Sequence, residues 1–223
     1  MKTGTALLID KAIEKRASEK KDRDYMGVSG IGEECSLKLW YSFHKPQKIT
    51  DPRVNRIFDL GNLIEDYVIS LLREAGLTVH THMENGEQYG FTDGDIAGHI
   101  DGVVLGLPES TQPHLFECKS ANSKRFAEFV KKGYKHDKKY WTQIQVYMYY
   151  MKLKRALVVV MNKDNCELHI ERCEYDKKYA ERAILRAKEI AKFSEADKPM
   201  RKYHSKTFYK CKFCQWADEC WEE

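Results

Sequence analysis

"IAGHIDGVVLGLPESTQPHLFECKS", residues 96–120, decides the fold. Two apolar runs, 96–107 and 114–120, flank the turn-forming "PESTQP", which reads as two neighbouring strands. Each run carries an acid, Asp101 in the first and Glu117 in the second. Strand residues two apart share a face, so Glu117 and Lys119 project together while Cys118 turns inward. Acids from adjacent strands can grip a divalent cation with hard oxygen ligands, and the Cys118 backbone carbonyl can supply a third. A lysine beside them can position or deprotonate a water, or neutralise charge developing on a phosphate. His99 lies two residues before Asp101 on the same expected strand face, which makes it a candidate further ligand. Taken alone, an E-x-K triplet describes an exposed edge pair equally well.

Working outward, residues 3–20 and 57–75 have helical apolar spacing, the second stopped by Gly76. "LTVHTHM" and "EQYGF", around the turn signal Asn85-Gly86, read as a hairpin. "NSKRFAEFVKKG" and "KKYWTQIQVYMYYMKL" read as helices, "RALVVVMNK" and "CELHIERCE" as a strand pair, and 176–194 as a helix. The order of helix, strands, helices, strands and helix predicts an α/β fold with a central mixed β-sheet flanked by helices.

Asp101 with Glu117-x-Lys119 across two strands, a glutamate helix before them and a glutamine–tyrosine helix after them resembles the PD-(D/E)XK nuclease superfamily. Gly61-x-x-x-Glu65, "GHIDG", "ECK" and Gln143-x-x-x-Tyr147 bring the likeness to the RecB-like branch, over roughly residues 35–220. Ile100 stands where the superfamily's name has proline. The resemblance implies a restriction-endonuclease-like fold, with Mg²⁺ or Mn²⁺ held by Asp101 and Glu117 and reached by Glu65. It also implies a Lys119 acting on the attacking water, and Gln143 with Tyr147 orienting the site or the DNA strand. Gln145-x-x-x-Tyr149 is a competing register. Gln143 is preferred, because Ile144, Met148 and Met151 form a buried stripe that leaves Gln143 and Tyr147 on a neighbouring face.

The seven cysteines are unevenly placed. Cys166 and Cys173 have no close partner pattern and read as free thiols. Cys211-x2-Cys214-x5-Cys220 lies near one end, and Cys35 is the natural fourth member. Four thiolates suit Zn²⁺ or an iron–sulphur cluster equally on geometry, and His204 could complete a zinc site. A cysteine before the nuclease motifs and C-x2-C-x5-C after them resembles the iron–sulphur nucleases of the CRISPR-adaptation and AddB kind. That likeness implies a [4Fe–4S] staple on Cys35, Cys211, Cys214 and Cys220, joining the N- and C-terminal segments. A single unit over 1–223 follows, with 61–195 as nuclease core and 35–60 and 198–223 as the cluster-bearing appendage.

Charge points to the same substrate. The formal charge is +4, yet residues 119–141 hold eight Lys or Arg against two acids, a net of +6 that leaves about −2 for the rest. Six more basic residues, interleaved with Tyr203, Phe208 and Tyr209, lie between Lys198 and Lys212. Basic stretches mixed with aromatics suit phosphate backbones and stacked bases, and Lys124, Arg125, Lys131 and Lys132 are the DNA-contact candidates. No apolar run nears the roughly 20 residues of a membrane span. The N-terminal stretch turns charged too soon for a secretory signal, so the expected location is the cytoplasm. With no G-x4-G-K-[ST] loop, no nucleotide cofactor is expected, and any ATP-driven unwinding falls to a helicase or recombination partner. The expected activity is metal-dependent exonucleolysis of single-stranded DNA or duplex ends in recombination, repair, or CRISPR-type or phage processing. The competing class is a non-catalytic nucleic-acid-binding protein with an architectural metal site.

Overall fold

The computed structural model describes residues 3–222; residues 1, 2 and 223 of the expected unit lie outside them. The chain opens with α1 (Gly4–Glu19), capped by the Thr3 hydroxyl accepting from Ala6 N–H at 3.3 Å. A two-residue strand β1 (Met26–Gly27) leads through α2 (Val28–Ile31) to α3 (Ser36–His44), whose Leu37, Leu39, Trp40 and Tyr41 are buried. Next, α4 (Pro52–Glu74) begins five residues earlier than expected. The reason is local: Asp51 accepts from Val54 N–H at 3.0 Å, and Pro52 fits the first turn, where its missing N–H has no partner to lose.

Strands β2 (Thr78–His80), β3 (Gly90–Asp93), β4 (Ile96–His99), β5 (Gly102–Leu105) and β6 (His114–Ala121) follow. After them come α5 (Ser123–Lys132), a 3₁₀ turn at Tyr134–His136, α6 (Lys138–Tyr150), β7 (Arg155–Asn162), β8 (Leu168–Glu174) and α7 (Lys177–Lys192). Asn122, Asp137 and Asp176 cap α5, α6 and α7 through their side-chain oxygens. Two short helices, α8 (Tyr209–Lys212) and α9 (Ala217–Glu222), complete the chain.

The main sheet has the order β2-β5-β6-β7-β8. Only β6 and β7 pair in parallel within it; their shared direction requires a crossover, and α5 and α6 supply it. All but the first residue of β7 are buried, as a strand covered on both faces must be, whereas the edge strand β8 alternates towards solvent. A small second sheet sets β4 between β1 and β3.

Two expectations fail here. The segment 96–107 is not one strand: β4 and β5 belong to different sheets, and the chain breaks at Ile100-Asp101. The hairpin around Asn85-Gly86 keeps only the His82–Gln88 bridge, because β2 joins the main sheet and β3 the small one. Strand propensity is local, but sheet membership depends on which apolar face can be covered, and that is set by residues far along the chain.

Two cores sandwich the main sheet. Phe116, Cys118, Leu157 and Val159 pack with Ile64, Val68 and Leu72 of α4. Leu115, Val158 and Val160 pack with Ile144 and Met148 of α6 and Ile184 of α7. Each such buried side chain contributes roughly 1.5–3 kcal/mol relative to exposure. The two terminal segments meet directly: Trp216 donates from Nε1 to the Lys45 carbonyl at 3.1 Å, and Gln47 to Glu219 at 2.7 Å. No helix among the described residues is long and apolar enough to cross a membrane.

Candidate active site and cysteine cavity

The break between β4 and β5 is what aims Asp101. Ile100 is fully buried and pins the bend, and Asp101 then reaches β6, where its Oδ2 accepts from Cys118 N–H at 2.8 Å. A strand residue's N–H and C=O point the same way, so the Cys118 carbonyl faces the Asp101 side. The Cys118 thiol packs on the α4 face, and burial pushes it well above its ordinary value. The backbone of Cys118, not its thiol, meets Asp101.

Glu117 is completely buried. Its Oε1 accepts from the Lys119 ammonium, as the shared strand face requires, while Oε2 has no hydrogen-bond partner among the described residues. Glu65 approaches from α4. Burial, then the neighbouring Asp101, raises Glu117 to about 8 and Glu65 to about 7, against the pull of Lys119. Burial also raises Asp101, opposed by Lys119 and the Cys118 N–H. For Lys119, burial favours the neutral amine, but Glu117 and its neighbours outweigh it and hold the ammonium charged. Three acids and one cation thus share one interior site.

Helix α6 closes that site. Gln143 hydrogen-bonds the Tyr147 hydroxyl, and both are buried where Tyr147 feels the charges of Glu117 and Asp101. Gly98 makes room: a Cβ there would lie 2.8 Å from Tyr147 Cε1 and 2.8 Å from Val28 Cγ2. The competing register is structural, for Gln145 donates to the Glu174 carbonyl at 3.0 Å and accepts from Asp176 N–H at 2.7 Å. It ties α6 to β8 and the start of α7.

His99 does not join them. The strand face it was expected to share with Asp101 does not exist, since β4 ends at His99; it is exposed, with its ring set against Gly90. Two tyrosines not foreseen do join. Tyr140 lies under the Lys119 ammonium, 5.2 Å from ring centroid to Nζ, and Tyr134 stacks on Tyr140 at 6.1 Å. Apart from Gly133, whose φ of +73° ends α5, no local signal marks Tyr134.

Of the basic candidates, Arg125 shares the Tyr140 ring with Lys119: it pairs with Asp137 at 2.6 Å and lies 4.7 Å over that ring. Lys124, Lys131 and Lys132 are exposed on α5, with Lys132 3.9 Å from Glu128. Much of the Lys198–Lys212 stretch is spent internally, with Lys202 and Lys210 on Glu34 and Lys206 on Asp218. Those two lysines and the Tyr203 hydroxyl pull Glu34 down to about 2, with the Lys210 hydrogen bond the largest influence.

Cys35, Cys211, Cys214 and Cys220 all line one cavity of about 550 Å³, ringed by Lys38, Trp216 and Trp221. Burial, and the presence of one another, raises Cys211, Cys214 and Cys220. His204 does not line it. Cys166 is exposed and Cys173 buried, both free and outside this cavity. Among the described residues, no three His, Cys, Asp or Glu side chains converge at metal-ligand spacing, either at the thiols or at the carboxylates.

The fold is a mixed α/β one, with central mixed sheets flanked by helices, and it is similar to that of an exonuclease. An alkaline exonuclease, LHK-Exo from Laribacter hongkongensis, superposes with a TM-score of 0.53 at 16% identity, over 74% of this chain and 85% of that one. The same enzyme in complex with dAMP gives 0.50 at 15% identity, over 80% and 88%. The crystal structure of SSO0001 gives 0.52 at 14% identity, over 96% and 93%. No protein-family model and no curated protein matches the sequence.

Proposed function

We propose that this protein is a Mg²⁺- or Mn²⁺-dependent DNA exonuclease of the PD-(D/E)XK type, in the RecB-like branch, built as one nuclease unit. The observation that carries this reading is the fully buried Glu117 carboxylate, whose Oε2 has no hydrogen-bond partner among the described residues although Asp101 and Glu65 lie beside it. An interior acid left so is costly unless positive charge offsets it. Hard oxygens of this kind suit a divalent cation, with Asp101, Glu117 and the Cys118 carbonyl as its direct holders and Glu65 reaching it through water; His99 stays out of it. Such a cation supplies polarisation of the phosphate and stabilisation of the leaving oxygen.

The chain's own groups do the rest. Lys119, held charged beside Glu117, orients the attacking water and balances negative charge on the phosphate. Gln143 and Tyr147 shape the wall of the site and position the strand. Arg125 and the exposed lysines 124, 131 and 132 of α5 give the backbone a positively charged approach. The neighbouring exonuclease crystallised with dAMP supports DNA as the substrate. Single strands or duplex ends suit this site, with a helicase or recombination partner to open duplexes. Four thiols around one cavity fit a soft metal centre, read as a [4Fe–4S] staple, with Zn²⁺ as the alternative.

The test is end-labelled single- and double-stranded DNA incubated with Mn²⁺ and wild type, Lys119→Ala or Asp101→Ala. Wild type should shorten the DNA from its ends and both variants should fail. Intact DNA with wild type, or equal degradation by the variants, overturns the nuclease reading.

A further inference from the structure

Two buried oxygens whose surroundings include Lys119 have no hydrogen-bond partner among the described residues. One is Glu117 Oε2; the other is the hydroxyl of Tyr134. Tyr134 is completely buried and tightly placed: its ring stacks on Phe129 at 5.6 Å and on Tyr140 at 6.1 Å. Its backbone N–H donates to Glu171 Oε2 at 2.7 Å, which fastens the turn to β8. Tyr140 in turn lies under the Lys119 ammonium, so the aromatic stack leads from Tyr134 to the lysine. The charges of Lys119 and Glu117 both reach the Tyr134 hydroxyl.

A buried hydroxyl without a partner weakens a fold, and such groups are rare enough to require a reason. An ammonium has three N–H donors, and the one hydrogen bond of the Lys119 side chain among the described residues goes to Glu117 Oε1. If a cation takes both Glu117 oxygens, Oε1 as well as Oε2, that bond is lost and the lysine needs another acceptor. We infer that Tyr134 is a positioning residue: its hydroxyl accepts from the Lys119 ammonium when a divalent cation takes the Glu117 carboxylate. The phenol then holds the lysine within the site instead of letting it follow the carboxylate or leave for solvent. This rests on the reading of Glu117 as a cation ligand.

The experiment is Tyr134→Phe beside wild type and Glu117→Gln, with Mn²⁺ binding followed by the signal of free Mn²⁺ and melting followed with and without the ion. Without Mn²⁺, Tyr134→Phe should melt at or above the wild-type temperature, because it removes an unsatisfied group and keeps the ring. With Mn²⁺, its dissociation constant should rise about tenfold, the value of one hydrogen bond to a charged group. Glu117→Gln should lose Mn²⁺ binding altogether. If wild type binds no Mn²⁺, or Glu117→Gln binds it as well as wild type, the reading of Glu117 as a ligand fails, and the hand-over with it. If wild type binds, Glu117→Gln does not, and Tyr134→Phe binds as tightly as wild type, the hand-over alone is wrong. A lower cation-free melting temperature for Tyr134→Phe also overturns it, since the hydroxyl then already has a structural partner.

Discussion

Raising the pH should destabilise the cation-free protein through Glu117. Burial, helped by Asp101, lifts this carboxyl from 4.5 to about 8, so the folded state holds a proton that the unfolded chain has released. A group raised in the fold contributes stability that is complete below its unfolded value and is lost as pH rises through the folded one. The window therefore runs from about pH 5 to 8.5, and at about 1.36 kcal/mol per pH unit the loss is on the order of 4 kcal/mol. For a chain of this size that is a fall in melting temperature of about 10 °C. Glu65, raised to about 7, adds in the same direction, reduced by its contact with solvent. His114, lowered by its burial, works the other way, so the measurement must be a difference. Glu117→Gln keeps an oxygen for Lys119 and removes the titration. Melting curves of both proteins in chelator should diverge, with wild type losing ground steadily as pH rises. Parallel curves across the window would refute the linkage, and with it the claim that burial outweighs the pull of Lys119 on this carboxyl.

The two glutamines of α6 should separate cleanly: Gln145→Ala abandons buried groups at the Glu174 carbonyl and Asp176 N–H, costing about 2–4 kcal/mol in urea unfolding. Gln143→Ala should instead unfold within about 1 kcal/mol of wild type while DNA hydrolysis drops at least about tenfold. Gly98→Ala forces a Cβ to within 2.8 Å of Tyr147 Cε1, so a stability loss of about 1–3 kcal/mol should accompany reduced activity. On the proposal of a [4Fe–4S] cluster, protein purified without oxygen should be coloured and Cys220→Ser should bleach it and lower its melting temperature; colourless wild type, or unchanged colour in the variant, would refute a cluster on this cysteine. Lys124→Ala and Lys131→Ala should each weaken DNA binding irrespective of sequence and reduce the slope of log affinity against log salt by about one.

Local chemistry carried much of this protein's reading. Period-two patterning in "HLFECKS" placed Glu117 and Lys119 on one face, and their ion pair is the result. The i, i+4 spacing of Gln143 and Tyr147, with the apolar stripe beside it, favoured that register, and Gln145 of the competing one is bound to the Glu174 carbonyl and the Asp176 N–H. Spacing grouped Cys211, Cys214 and Cys220, the family resemblance added Cys35, and all four line one cavity. What spacing cannot report is where a strand changes sheet. Residues 96–107 look continuous because apolar residues run through the break, yet the turn at Ile100-Asp101 sends β4 and β5 to different sheets, which removes His99 and aims Asp101. Tyr134 was equally invisible, since an aromatic after a glycine stop has no local pattern that marks it; only the crossover from β6 to β7 stacks it on Tyr140, the ring beneath Lys119. Sequence by itself determined which side chains share an element's face, because that follows from backbone periods of 2 and 3.6 residues. Tertiary structure decided which faces meet, because burial of apolar area is satisfied by residues distant in the chain, and the same packing that covers β6 also strips water from Glu117.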